Sequence, residues 1–265
     1  MEISKHLLQG VQQRKTPNRG GVLEPRYLVF HFTAGPNAKS SIDWLCSPDA
    51  KASAHLVVAR DGSITQLAPF NVVTWHAGIS YWEGLSGLNQ YAISIEMDNA
   101  GKLKKVGDTY QAWFGKEYPG NEVFQAQHRF EPDVAYWHTY TEVQIAKALE
   151  LATTLVKAYD LRDIIGHEDI ARGRKSDPGP AFPLANIRSK ALGRAQDQAE
   201  IFEVDVDSLN IRKGPGIEYD TVASPLLRGT KVMLLEKSDR WSKVDVQGPN
   251  DVEGWVANKY LKAIA

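Results

Sequence analysis

The run Tyr27-Leu-Val-Phe-His-Phe32 constrains this chain more than any other stretch. Its apolar character is continuous rather than alternating, and it is rich in Phe and Val, so it reads as a fully buried strand. Other segments supply what could cover it. Asn37–Ser47 predicts a short helix, and Tyr91–Met97 alternates in the manner of a strand. Ala54–Pro69 holds two β-rich runs about Asp61-Gly62, which predicts a hairpin with a type I′ turn, because both positions then need positive φ. Thr141-Glu-Val-Gln144 has the form of a capping box, followed by Ile145, Leu149, Ala152, Val156 and Tyr159 at helical spacing. Ile164 and Ile165 predict one more short strand, then a loop held open by Gly and Pro. Strands interleaved with helices imply an α/β fold with a central mixed β-sheet flanked by helices. The residues up to about Gly21 read as a polar leader, and Gly101–Pro132 as an irregular, aromatic insertion reaching toward Tyr140.

The pattern changes at Arg188–Glu200, a polar stretch with little to bury. Beyond it, short β-rich runs alternate with Gly, Pro, Asn and Asp, which predicts a small all-β barrel. The expected division is 1–190, a linker at 191–199, and 200–265.

Composition closes several possibilities. A single cysteine, Cys46, excludes an internal disulfide framework and a multi-cysteine zinc site. The net charge is -1 with no long basic run, which argues against a nucleic-acid partner. No apolar run approaches the roughly 18 residues of a membrane span. Near the amino terminus only Leu7 and Leu8 stand together, far short of the apolar core of a secretory signal, so no signal peptide is expected in these residues.

Three residues could carry metal chemistry. His31 stands near the end of the buried strand, His167 follows Ile164-Ile165-Gly166, and Asp177 lies in Arg174-Lys-Ser-Asp-Pro178. Two imidazoles and a carboxylate are the usual three-ligand set of a catalytic zinc, whose fourth position stays open. Spacing alone favours, for each histidine taken singly, a core residue satisfied by hydrogen bonds. Glu96 sits on a strand where a carboxylate is costly to bury unless it faces a polar site, the alternative being an ion pair at a strand end. If the loop is extended, Lys175 and Asp177 share a face; a solvated basic turn with Arg172 and Arg174 is the other reading.

The segments His31–Gly35, Ser53–Leu67, Trp75–Gly84, Ile93–Met97 and Gly166–Gly179, in that order, resemble the zinc-dependent N-acetylmuramoyl-L-alanine amidases, whose fold is shared with amidase-type phage lysozymes and peptidoglycan recognition proteins. The resemblance spans about Arg26 to Pro183. It implies one zinc ion on His31, His167 and Asp177, Glu96 as catalytic acid and base, and Lys175 supporting the oxyanion. The bond cut would join the lactyl group of N-acetylmuramic acid to the L-alanine of the stem peptide, in peptidoglycan or a muropeptide. Within the matched segments, Trp75 and His76 are candidates to face substrate, and His55 reads as structural. Trp82, Trp113 and Trp137 are further candidates for a sugar-stacking surface. Arg172 stands where the family often has proline, and Ser94 where it often has glycine. The carboxy-terminal part is similar to bacterial Src-homology-3-like modules attached to wall hydrolases. Substrate and module together favour the cell envelope or export. The alternative is a binding or recognition protein of the same fold that does not cut.

Overall fold

Tyr27–Phe32 forms the strand its apolar run dictates, buried throughout except at half-buried Phe32. The computed structural model describes residues 1–193, 201–248 and 252–264. In it this strand is second in a six-stranded sheet of order Asp163–Gly166, Tyr27–Phe32, Ala92–Met97, Leu56–Val58, Ile64–Gln66 and Gln12–Gln13. Asp163–Gly166 and Ala92–Met97 both run parallel to it, whereas Ile64–Gln66 runs antiparallel to Leu56–Val58. The sheet is mixed, with its parallel strands grouped together.

Alternate residues supply the two faces. Leu28, Phe30, Ile93, Ile95 and Ile164 pack with Ala148, Leu151 and Leu155 of the helix Glu142–Tyr159 and with Ile187 of the helix Leu184–Ala191. Tyr27, Val29, Ala92 and Ile165 pack on the other side with Trp82, Leu88 and Ile170. The long helix starts at its capping box: Thr141 Oγ1 accepts from the Gln144 N–H at 3.1 Å, and Gln144 Oε1 accepts from the Thr141 N–H at 3.2 Å. Buried Gln144 is satisfied because its amide also donates to the Asp98 carbonyl at 2.9 Å. Asp163 would be an unpaired buried charge, but Arg188 grips it through two hydrogen bonds of 2.6 and 2.7 Å.

Several local expectations are corrected. The Ala59–Ser63 turn has three loop residues rather than two: Gly62 N–H donates to the Ala59 carbonyl, Asp61 Oδ1 accepts from the Ser63 N–H, and only Gly62 takes positive φ. The insertion is not irregular. It is a five-stranded sheet of order Glu117–Tyr118, Thr109–Gln111, Lys102–Val106, Val134–His138 and Val123–Gln127, around a core of Ala100, Leu103, Ala112 and Tyr118. The leader is part of the fold, since Gln12–Gln13 pairs with Ile64–Gln66 and Leu8, Thr16 and Asn18 are buried. A one-turn helix, His167–Ile170, precedes the Gly-Pro loop. Ala191 ends the helix Leu184–Ala191, and residues 194–199 of the expected linker, with residue 200 of the expected barrel, lie outside the described residues.

The second compact unit holds the residues from 201 on, with Arg129–Glu131. Its sheet has the order Glu253–Ala257, Trp241–Val246, Lys231–Lys237, Ile201–Val204 and Leu261–Ala263, antiparallel throughout. Val204, Ile211, Val232, Val244 and Val256 fill its interior. Among the described residues no helix is long and apolar enough to cross a membrane.

Candidate active site

Strand register brings the site together. Glu96 lies directly opposite His31, and Gly166 lies opposite Phe30, which puts His167 level with the same row. Tyr27, Val29 and His31 share a face, as do Ala92, Ser94 and Glu96, and as Ile165 does with His167. The polar row therefore continues the second apolar face one step beyond its end, at the carboxyl ends of three adjacent parallel strands. That is where open α/β sheets form their crevices.

Asp177 completes the group from a separate loop. Its carbonyl accepts from the Glu168 N–H at 2.8 Å, the Pro178 carbonyl accepts from the Tyr140 hydroxyl at 2.8 Å, and the Gly179 N–H donates to Glu168 Oε2 at 3.1 Å. His128 Nε2, from the insertion, lies 2.7 Å from that same Glu168 oxygen. Gly166 lets the loop come close, since a Cβ there would stand 2.8 Å from Pro178 Cδ.

His31 Nδ1 and His167 Nδ1 are 3.0 Å apart, and each is 2.9 Å from Asp177 Oδ2. The three residues are 1%, 4% and 6% exposed, so this is a convergent, buried donor set. Ligands 2.0 to 2.1 Å from a tetrahedral ion stand roughly 3.3 Å from one another, so two nitrogens and one oxygen at this spacing fit a zinc ion. Burial, then the neighbouring His167, holds His31 down at about 4, so it is neutral at pH 7. Burial raises the Asp177 carboxyl, but hydrogen bonds to His167 and His31 outweigh it and hold the group well below the usual carboxylate range. A neutral imidazole and an ionised carboxylate are the forms that bind metal.

Glu96 is tuned the other way. Burial, then the charge of Asp177, lifts it from 4.5 to about 8, and Lys175 partly opposes the rise. Its Oε2 is buried without a hydrogen-bond partner among the described residues. Lys175 is exposed, and its charge also lowers the His31 pKa.

His76 and Trp75 stand differently from each other. His76 Nδ1 is 3.0 Å from His31 Nε2, with the rings edge to face at 81°. Trp75 is exposed, its N–H donating to Ser53 Oγ at 2.8 Å. His55 is sealed in the core: its Nδ1 accepts from the Ser94 N–H at 3.0 Å and its Nε2 donates to the Val72 carbonyl at 2.9 Å. Trp82 and Trp137 are buried, whereas Trp113 is 79% exposed on a turn of the insertion, its Nε1 donating to the Ala34 carbonyl at 2.7 Å. Trp113 and Trp44 wall a cavity of about 360 Å³ that Glu96 and Thr33 also line. Sequence reasoning did not single out Trp44, which sits on the helix Ala38–Leu45 as an ordinary aromatic residue.

The profile of the N-acetylmuramoyl-L-alanine amidase family matches residues 21–180, and that of the bacterial SH3 domain matches residues 207–262. The chain is 31% identical over 185 residues to the N-acetylmuramoyl-L-alanine amidase AmiD of Escherichia coli, a match covering 66% of this chain and 56% of that protein. It is 29% identical over 140 residues to the 1,6-anhydro-N-acetylmuramyl-L-alanine amidase AmpD of the same organism, covering 52% of this chain and 57% of that one. The chain thus spans a little over half the length of these curated relatives. A crystal structure of a selenomethionine AmpD derivative superposes with a TM-score of 0.50 at 24% identity, over 72% of this chain and 99% of the other, a likeness of fold.

Proposed function

This chain belongs to the N-acetylmuramoyl-L-alanine amidase family, and from that premise we propose that it hydrolyses the amide between the lactyl group of N-acetylmuramic acid and L-alanine of the stem peptide. The observation that carries the proposal is the convergence of His31 Nδ1, His167 Nδ1 and Asp177 Oδ2 within 3.0 Å of one another, beside Glu96. His31, His167 and Asp177 would hold a zinc ion, which when bound would supply Lewis acidity and lower the pKa of water at the site.

The chain's own groups do the rest. Glu96 takes a proton from the attacking water at its unpartnered Oε2 and returns it to the leaving nitrogen. Burial makes the ionised Glu96 carboxylate a stronger base than an exposed one, which favours its taking the proton and keeping it until the nitrogen leaves. Lys175 lends its ammonium to the oxyanion that develops on the carbonyl. The cavity walled by Trp44 and Trp113 takes the muramyl sugar, whose C–H faces suit indole. Among the described residues no Lys or Arg lines that cavity, which disfavours the stem-peptide carboxylates. In the barrel, a groove of about 940 Å³ lined by Arg212, Ile217, Glu218, Trp241 and Tyr260 adds a second weak contact with the polymer, which keeps the catalytic cleft near its substrate.

Mass spectrometry of the soluble products from purified peptidoglycan and from a 1,6-anhydromuropeptide, with and without a chelator, tests this. Stem peptides beginning at L-alanine, lost on chelation and restored by zinc, are expected. Zinc binding with neither substrate cut would rule out the hydrolase.

A further inference from the structure

We propose that the dipeptide His76-Ala77, clamped by the side chain of Asn89, is the outer support that decides which nitrogen each ligand histidine presents to the metal. The inference rests on the reading of His31, His167 and Asp177 as the metal ligands. A neutral imidazole offers a lone pair from one ring nitrogen and a proton from the other, so the partner of the far nitrogen selects the near one. His167 Nε2 is 3.2 Å from the Ala77 carbonyl, which only accepts. With a metal bound, that nitrogen would therefore carry the proton, and Nδ1 would give up its hydrogen bond to Asp177 and turn a lone pair to the ion. His31 Nε2 is 3.0 Å from His76 Nδ1, so His31 presents Nδ1 inward when His76 Nδ1 is the acceptor. Two adjacent residues of one strand-to-turn segment thus orient both imidazoles.

That segment is itself held at several points. The N–H groups of His76 and Ala77 both donate to Asn89 Oδ1, at 2.9 and 2.7 Å. Arg174 donates to the Ala77 carbonyl at 2.8 Å and to the Ile79 carbonyl. Asn89 lies in the one-turn helix Leu88–Gln90, whose Leu88 is sealed in the apolar cluster beneath the site. A single amide oxygen, neither a ligand nor a neighbour of one in sequence, therefore fixes the height of both supports. His76 is in this account a positioning residue whose Nδ1 is engaged by His31.

The test is zinc affinity of the full chain, by competition with a chromogenic chelator, together with the visible spectrum of the cobalt-substituted protein. His76→Phe and Asn89→Leu keep bulk but lose the acceptor. Each is expected to weaken zinc about 10- to 100-fold, the usual loss when an outer partner of a ligand is removed, and to change the cobalt spectrum. His76→Asn, which keeps an oxygen close to the Nδ1 position, and Asn89→Asp, which keeps the acceptor, are expected to stay within a few-fold of the unsubstituted chain. If His76→Phe does not fold, His76→Asn set against His76→Gln decides, because only Asn carries its oxygen near the Nδ1 position. Zinc affinity within about twofold for His76→Phe and Asn89→Leu, with an unchanged cobalt spectrum, overturns the proposal. No zinc binding by the unsubstituted chain overturns the metal reading and this inference with it. Normal zinc behaviour without cleavage of any muropeptide removes the hydrolase and leaves this inference to stand on the affinities.

Discussion

Glu96→Gln separates the carboxyl's chemistry from its burial. The group is lifted from 4.5 to about 8, by burial first and by Asp177 second. A carboxyl whose pKa is higher in the folded chain holds its proton more tightly there. Its contribution is fully present below pH 4.5 and is lost as the pH rises from 4.5 to 8. Between 4.5 and pH 7 lie 2.5 units, and at about 1.4 kcal/mol per unit that is roughly 3.5 kcal/mol of destabilisation in the metal-free chain at pH 7. Glu96 is only half-buried and lines an open cavity, so solvent screening halves the figure to about 2 kcal/mol. Glutamine has nearly the same shape and no charge to bury. With chelator present, urea unfolding should find Glu96→Gln more stable than the unsubstituted chain by about 2 kcal/mol at pH 7, and by less than about 0.5 kcal/mol at pH 4.5. The zinc-loaded variant should lose about 10²- to 10⁴-fold in kcat while still binding metal. A stability difference that stays the same from pH 4.5 to pH 8 would refute the burial argument, and retained turnover would remove Glu96 from proton transfer.

Removing the metal with a chelator should lower the unfolding temperature of the first unit. Zinc at about 100 times its Kd contributes about 2.7 kcal/mol, and an unshifted transition in calorimetry would deny the site. Arg188→Ala leaves Asp163 buried without its partner and should cost about 3 to 5 kcal/mol in urea unfolding, whereas a loss under about 1 kcal/mol would show that Asp163 is otherwise satisfied. Gly166→Ala drives a methyl against Pro178 and should destabilise by about 1 to 3 kcal/mol while weakening zinc, because the displaced loop carries Asp177. Trp113→Ala should raise the muropeptide KM about fivefold with kcat little changed, in keeping with about 1 kcal/mol for one stacked ring; unaltered KM would move the sugar elsewhere.

What the sequence made legible was local. Tyr27–Phe32 announces a buried strand by composition, and Thr141 with Gln144 announces a helix start, because both depend on near neighbours. The insertion hid its strands because Lys102–Val106 buries only Leu103 and shows no alternation that a short window can register. The candidate ligands carried chemistry in their residue types but not proximity. That His31 meets His167 follows from the parallel pairing of two strands far apart in the chain, and only the sheet order reveals it. Asn89 was invisible for a stricter reason. One oxygen receiving two N–H groups leaves no periodicity, no charge and no motif.

The insertion's private core of Ala100, Leu103, Ala112 and Tyr118 makes it a self-supporting graft rather than a dependent loop. Its strands form a ladder separate from the six-stranded sheet, so its outer residues are free to drift without shifting the register that aligns His31 with Glu96. Trp113 rides on that graft, whereas the ligand row belongs to the host. Residues around Trp113 can therefore change without touching the ligand row, but an exchanged graft would have to keep His128, whose contact with Glu168 steadies the loop that carries Asp177.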